Sequence, residues 1–291
     1  MSVFVINRKK FFMNKIIKAI RFQTWWIYRL LFKPCNLEIH LSEHCNLNCV
    51  SCSHYSPLAI PKFCDVAQLR ISLSKLSRFA SEFRAIRLLG GEPHLNPSIV
   101  EIFVTVRDSF PNTDIQLVTN GLMLIPPYAK HINETFWEAC RHNKISIAIT
   151  VYPTGTDTEE IKRICLDNGV NFSIYGVRTG DFGFELYSLD PKCRGNVFNY
   201  YRCRDMDCLQ LVDGKIFPCS QCAYVEHLNK AFGYNFKQSK KDYIDVDNID
   251  SRFAIRRFRW RIKPFCKYCI FPRQKTNWYR SRRKVNEWVR Q

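Results

Sequence analysis

Cys45, Cys49 and Cys52 stand in HCNLNCVSC at C-x3-C-x2-C spacing, close enough in sequence to bring three thiolates to one point. Thiolates are soft ligands that suit zinc or iron–sulfur clusters. A structural zinc ion needs four ligands, and His44 or His54 could supply the missing one. A cubane cluster can be held by three cysteines, which leaves one iron open to a substrate or cofactor. The spacing admits both chemistries.

A second set follows far downstream: Cys203, Cys208, Cys219 and Cys222, then Cys266 and Cys269. Asp213-Gly214 predicts a two-residue hairpin turn, which sets Cys208 opposite Cys219 with Cβ atoms ~5 Å apart. Both could then reach one metal. A zinc ribbon of C-x2-C pairs is the simpler reading of the same spacings. Cys140 and Cys165 sit in helical patterns, while Cys35 and Cys64 have no partner at motif spacing, so these four read as small buried hydrophobes.

The elements that must position these residues alternate between β-branched runs and helical stripes. Strands are predicted at 37–41, 85–89, 114–119, 145–152 and 171–177. The helix between the first two shows the stripe Leu69, Leu73, Leu76, Ala80, Phe83. Asn96-Pro97 predicts the start of the second helix, 128–142 holds the third, and Thr156-x-x-Glu159 reads as a capping box for the fourth. The order βαβα argues for a parallel sheet, either doubly wound or an incomplete (β/α) barrel, with ligands at the C-terminal strand ends. Those ends carry Cys45 to Cys52 after the first strand, Gly90-Gly91-Glu92 after the second and Thr119-Asn120-Gly121 after the third. Paired glycines permit close approach of backbone to a neighbour.

Taken together in this order, CNLNCVSC, GGEP and TNG resemble the radical S-adenosylmethionine (radical SAM) superfamily over roughly residues 36 to 180. The resemblance implies a partial (β/α)6 TIM-like barrel. It implies a [4Fe–4S] cluster on Cys45, Cys49 and Cys52, with S-adenosylmethionine chelating the open iron. Gly90, Gly91 and Glu92 would surround the methionine amino group and Asn120 would support the cofactor or substrate. Thr150 and Tyr152, at the end of the fourth strand, would lie near its ribose. Reductive cleavage of the sulfonium would give a 5′-deoxyadenosyl radical that abstracts hydrogen from a substrate, supplied with electrons by a flavodoxin-like or ferredoxin-like partner. One departure is Ser51, where the superfamily often has an aromatic residue.

The spacing Cys203-x10-Gly214-x4-Cys219, followed by Cys266-x2-Cys269, resembles the twitch or abbreviated SPASM extension of such enzymes. That implies a second, auxiliary [4Fe–4S] cluster in a small cysteine-rich unit of a β-hairpin plus helix. Its firm ligands would be Cys219, Cys266 and Cys269, the fourth being Cys203 by family spacing or Cys208 by hairpin geometry, with Cys222 a lesser candidate. The phrase HCNLNCVSCSHYSPLA further resembles a subgroup linked to polysaccharide and aminosugar biosynthesis, which implies a sugar, sugar nucleotide or glycan substrate. Arg178, Arg194 and Arg204 could then offer charge-assisted contacts. SPASM-like tails also occur in peptide-modifying enzymes, the alternative reading.

With 291 residues the chain can bury a full core. The expected units are 1–34, a basic amphipathic segment, 35–192, the barrel, and 193–291, the auxiliary unit with a basic tail. The net charge of +18 is concentrated at the ends: residues 8–33 carry eight Lys or Arg and residues 252–284 carry thirteen, both without an acid. Such ends suit an anionic partner. Lys15 to Phe32 mixes cations with Ile, Trp and Leu, consistent with a helix lying on the inner membrane surface, with nucleic acid the less favoured partner. No spanning segment or secretory signal is evident, so a cytoplasmic location is expected, with either Met1 or Met13 as the start.

Overall fold

The computed structural model describes residues 34–129, 132–176 and 184–290. The basic segment within 1–33 and Arg178 lie outside them. Strands β1 (Cys35–Ser42), β2 (Phe83–Gly90), β3 (Asp114–Thr119), β4 (Ile145–Val151) and β5 (Phe172–Gly176) pair in parallel in sequence order. All five lie within two residues of the ends predicted from their apolar runs. Between them run helices α1 (Val66–Leu76), α2 (Ile99–Ser109), α3 (Glu134–His142) and α4 (Thr158–Asp167). The result is an open, partial (β/α) barrel.

Alternation along β1 sets the two faces. Leu37, Ile39 and Leu41 join Leu69, Leu73 and Leu76 of α1 and Ile102, Phe103 and Val106 of α2 in one core. Glu38, between them, takes the opposite face, where its carboxylate accepts from Arg87 at 3.0 Å and from Gln210 at 2.6 Å. Cys35, Cys140 and Cys165 are buried in the main core, with Cys64 packed against it, the small-hydrophobe role expected of them.

The break of rhythm near Cys193 is not a break in the sheet. The short β6 (Phe184–Glu185) pairs outside it, antiparallel to Lys275–Thr276. Strand β7 (Cys208–Val212) then pairs in parallel with the free edge of β1, and β8 (Lys215–Phe217) and β9 (Ile244–Asp245) continue outward antiparallel. The sheet order is β5-β4-β3-β2-β1-β7-β8-β9, so the sixth parallel strand joins at β1 and not beyond β5. A second core of Tyr55, Leu189, Phe217, Phe265, Tyr268 and Trp288 joins the loop after β1 to the C-terminal region. The proposed division at 192/193 is therefore crossed by both the sheet and a core.

The hairpin turns at Asp213 and Gly214, both with positive φ (44° and 74°), as the Asp-Gly pair demands. Other starts differ from the sequence reading. The second helix starts at Ile99 with Ser98 at the cap position; Asn96 Oδ1 accepts from the Ser98 N–H, two residues on, while its Nδ2 donates to Leu41 O at 2.7 Å. The third begins after the Asn133 cap, six residues later than predicted. The fourth is capped by Asp157, whose carboxylate accepts from two backbone N–H groups, in preference to Thr156. Among the described residues no helix is long and apolar enough to cross a membrane.

Candidate active site

Parallel pairing puts the C-terminal ends of β1 to β4 on one rim, and the loops that follow carry the residues singled out by sequence. Cys45, Cys49 and Cys52 line a cavity of about 270 Å³ with Gly90, Gly91, Asn120, Thr150 and Tyr152. Eight of the nine predicted residues of this site thus converge. Glu92 is the exception.

Glu92 is fully buried and does not line the cavity. One carboxylate oxygen accepts from Thr119 Oγ1 at 2.7 Å and lies 2.7 Å from His94 Nδ1; the other accepts from the Asn120 N–H at 3.1 Å. Its role here is to lock the glycine turn to the β3 loop, so that Asn120 is aimed at the cysteines. The Asn120 amide in turn bonds Asn46 Oδ1 at 2.7 Å and lies 3.8 Å from Cys45 Sγ.

The glycine pair has a packing cause that sequence alone does not reveal. A Cβ on Gly90 would stand 2.4 Å from Ser42 O, and one on Gly91 2.1 Å from His44 O and 2.8 Å from Cys45 N. The cysteine loop lies directly on the glycine turn, tied by Gly91 N–H to Ser42 O at 2.7 Å and Glu92 N–H to His44 O at 3.1 Å. No side chain fits between them.

A strap from the C-terminus covers the same loop. Val50 N–H bonds Tyr279 O, Ser281 N–H bonds Asn48 O, and the buried Trp288 indole donates to Cys52 O at 3.0 Å. Tyr187 N–H donates to Ser51 Oγ at 2.6 Å, which gives the departure at Ser51 a local use. By sequence this tail reads only as a basic extension. The signal for a further role is the interleaving of aromatic residues with the cations, at Trp278, Tyr279 and Trp288.

Burial pushes the Cys49 thiol up to about 12, opposed by the Trp278 indole and Tyr152 hydroxyl beside it, and raises Cys45 and Cys52 as well. Thiols this buried ionise only against a cation, which is what a metal cluster supplies. His54 Nε2 is buried without a hydrogen-bond partner, a position left for a bound group. His54 lines the cavity and burial holds its pKa well below the usual range, so it is neutral. His44 does not line it; its Nδ1 pairs with Ser42 Oγ at 3.0 Å. Among the described residues no three His, Cys, Asp or Glu side chains converge as a single-ion site. The three thiols and the space beside them fit a cluster with an additional ligand.

The second cysteine set closes on a much smaller cavity, about 40 Å³, lined by Cys203, Cys219, Cys222, Cys266 and Cys269. Cys208 is not among them. Its hairpin register toward Cys219 is as predicted, since Gln210 pairs with Phe217, but the ladder ends there. Cys219 leaves the strand to cap the short helix α5 (Ser220–Ala223), while Cys208 starts β7 beside Asn36 Nδ2, 3.9 Å away. Burial raises all five lining thiols, Cys203 to about 11. Gly195, missed by the sequence reading, backs this site: a Cβ there would meet the carbonyl oxygens of Lys267, Cys269 and Cys266 at 2.5, 2.6 and 2.8 Å. Arg273 donates to Cys203 Sγ at 3.3 Å and stacks 4.0 Å over the Tyr187 ring, which lines the first cavity. Arg204 pairs with Glu185 and Arg194 with Asp190, so neither reaches the open cavity.

No family model matches the chain. A probable GTP 3′,8-cyclase of Methanocaldococcus jannaschii is 24% identical over 260 residues, covering 80% of this chain and 79% of that protein. The GTP 3′,8-cyclase of Microcystis aeruginosa is 32% identical over 98 residues, 30% of this chain and 28% of the relative. Matches of this second kind span less than a third of the relatives' length. These relatives are radical SAM proteins, in line with the resemblance carried by the three motifs. Radical SAM relatives use S-adenosylmethionine and a [4Fe–4S] cluster, and the donor set at the open cavity suits both. Among solved structures, BtrN in complex with AdoMet and 2-DOIA is 12% identical, with a TM-score of 0.49, over 81% of this chain and 92% of that one. Histidine-tagged anSMEcpe with bound AdoMet is 14% identical, with a TM-score of 0.45, over 81% and 82%.

Proposed function

We propose that this chain is a radical SAM enzyme that abstracts hydrogen from a sugar or sugar nucleotide. The observation that carries the reading is the contrast in thiol count and space at the first cavity. Three cysteines face room for a further ligand, and no fourth thiol lines that room among the described residues. Cys45, Cys49 and Cys52 would hold the cluster, and Gly90, Gly91, Asn120, Thr150 and Tyr152 would surround S-adenosylmethionine. When bound and reduced, the pair supplies a 5′-deoxyadenosyl radical able to attack an unactivated C–H bond. The chain's own part is to orient and to exclude water: Glu92 fixes Asn120, and the strap through Trp288 covers the cysteine loop.

The lining supports a hydroxylated substrate. Besides the residues given to S-adenosylmethionine, Ser53, His54 and Tyr187 offer neutral hydroxyl and imidazole groups, with no Lys or Arg among the described lining residues. The relatives named for GTP act on a ribose-bearing nucleotide, in keeping with the sugar nucleotide reading. Cys203, Cys219, Cys266 and Cys269 would hold an auxiliary [4Fe–4S] cluster, and the reductant would be flavodoxin-like or ferredoxin-like. Dehydrogenation, dehydration and epimerisation differ in what happens after hydrogen abstraction, and product analysis assigns one of them.

The test is anaerobic reconstitution followed by reduction in the presence of S-adenosylmethionine. Expected are brown protein with about eight irons per chain, formation of 5′-deoxyadenosine, and its acceleration by a sugar nucleotide over a peptide pool. Colourless protein with stoichiometric zinc and no cleavage would overturn the reading.

A further inference from the structure

Helix Arg252–Trp260 buries Ile255, Phe258 and Arg259 on one side and leaves Arg252, Phe253, Arg257 and Trp260 outside. Phe253, Arg257 and Trp260 are spaced i, i+4, i+7, so they form one stripe. Phe253 is 69% exposed and Trp260 45%, unusual values for side chains of this size. The stripe does not end with the helix. Tyr201 donates its hydroxyl to Trp260 O at 3.0 Å, and in the 3-10 helix Val197–Arg202 residues three apart eclipse, which puts the 61% exposed Phe198 on the Tyr201 side.

Cations flank these rings. Arg256 is committed to Glu82, at 2.7 Å. Arg252, Arg257 and Arg261 form no ion pair with a described residue, and Arg257 and Arg261 share a cleft of about 570 Å³ with Lys240. Its two carboxylates, Asp245 and Asp250, accept hydrogen bonds from Asn248 and Ser251.

We infer that Phe198, Phe253 and Trp260, with Arg252, Arg257 and Arg261, form a docking surface for an anionic phospholipid bilayer. Aromatic side chains alternating with unpaired cations at one-turn spacing suit a helix lying in the headgroup layer, with rings among the acyl chain ends and guanidinium groups on phosphates. Charge complementarity selects the occupant: each cation near an anionic leaflet strengthens binding, and salt screens it. This surface is separate from the cysteine cavities, so it stands whether or not the proposed reaction does.

The full chain is sedimented with vesicles of phosphatidylcholine alone and with added phosphatidylglycerol. Expected is binding that needs phosphatidylglycerol and weakens as salt is raised. The Phe253→Ser/Trp260→Ser variant should lose about tenfold in partitioning, and Arg257→Glu/Arg261→Glu about fivefold or more for each residue, with circular dichroism and iron content unchanged. Substitution at exposed positions keeps the fold test clean. If the variants bind vesicles as the native chain does, binding belongs to another segment and the inference fails. It also fails if the native chain ignores vesicles, and binding of duplex DNA through the same residues would then name the occupant.

Discussion

The two cysteine sites use one construction with opposite outcomes. In each, a loop of cysteines is laid against glycine backbone so tightly that a methyl group would not fit: Gly90 and Gly91 under the first loop, Gly195 under the second. The first keeps three thiols and about 270 Å³ of lined space; the second gathers five thiols around about 40 Å³. Space, more than thiol count, separates the two sites. The Tyr187–Arg273 stack stands between them, one residue lining each cavity.

The largest effect that would break this contrast is at the open site. Cys45→Ala/Cys49→Ala/Cys52→Ala should abolish cleavage of S-adenosylmethionine and remove about four of about eight irons. Cleavage at the native rate in that variant would sink the assignment. Next comes the closed site: Cys266→Ala/Cys269→Ala should lose the other half of the iron and retain uncoupled cleavage. Gly195 N–H bonds Lys267 O, and Leu189 N–H bonds Trp288 O, so losing that cluster should also loosen 185–200 and the C-terminal strap. Hydrogen exchange would read this as faster exchange in those segments and no change in β2 to β4.

The glycines sharpen the comparison. Gly91→Ala should cost at least about 2 kcal/mol, because the clash is with backbone that cannot swing away, and should deplete iron at the open site alone. Gly195→Ala should deplete it at the closed site alone. Iron counts combined with electron paramagnetic resonance of the reduced protein would separate the two; equal loss from both sites in each variant would mean that they fold as one. Glu92→Gln keeps the shape but turns one of the two acceptor oxygens into a donor, so either the Asn120 N–H or the Thr119–His94 pair loses its acceptor. The cost is about 1–3 kcal/mol, seen as weaker S-adenosylmethionine binding with iron retained.

The five parallel strands, the hairpin turn and the convergence at the first site were legible because each rests on local chemistry: β-branched runs, Asp-Gly, and loops at the same strand ends. What was not legible depended on distant partners. That β7 joins the free edge of β1 follows from strand pairing across more than 170 residues. Glu92 looked like a cofactor contact because it follows the glycine pair, and only the positions of Thr119 and His94 show that its oxygens are already engaged. Asn96 looked like a helix cap; its oxygen does accept from the nearby Ser98 N–H, but its Nδ2 also ties the turn to Leu41 O. Glu92 and Asn96 each add a buried long-range partner to a local one, as burial of a polar group demands.

The smallest predicted effect separates two readings of one ligand. Hairpin geometry favoured Cys208 and family spacing favoured Cys203; the register would set Cys208 opposite Cys219, but the ladder ends at Gln210 and Phe217 and Cys219 stands off the strand at the start of a helix. Cys203 lines the closed cavity and receives the Arg273 guanidinium, whereas Cys208 sits at the β1 edge beside Asn36. Cys203→Ser should therefore deplete the auxiliary iron, and Cys208→Ser should leave both iron count and cleavage within error of native. Cys222 lines the cavity as a fifth thiol, fully buried. A cubane has four irons to ligate, so with Cys203, Cys219, Cys266 and Cys269 in place Cys222→Ser should retain the cluster. Loss of iron in Cys222→Ser with retention in Cys203→Ser would exchange their roles and leave the closed site otherwise as described.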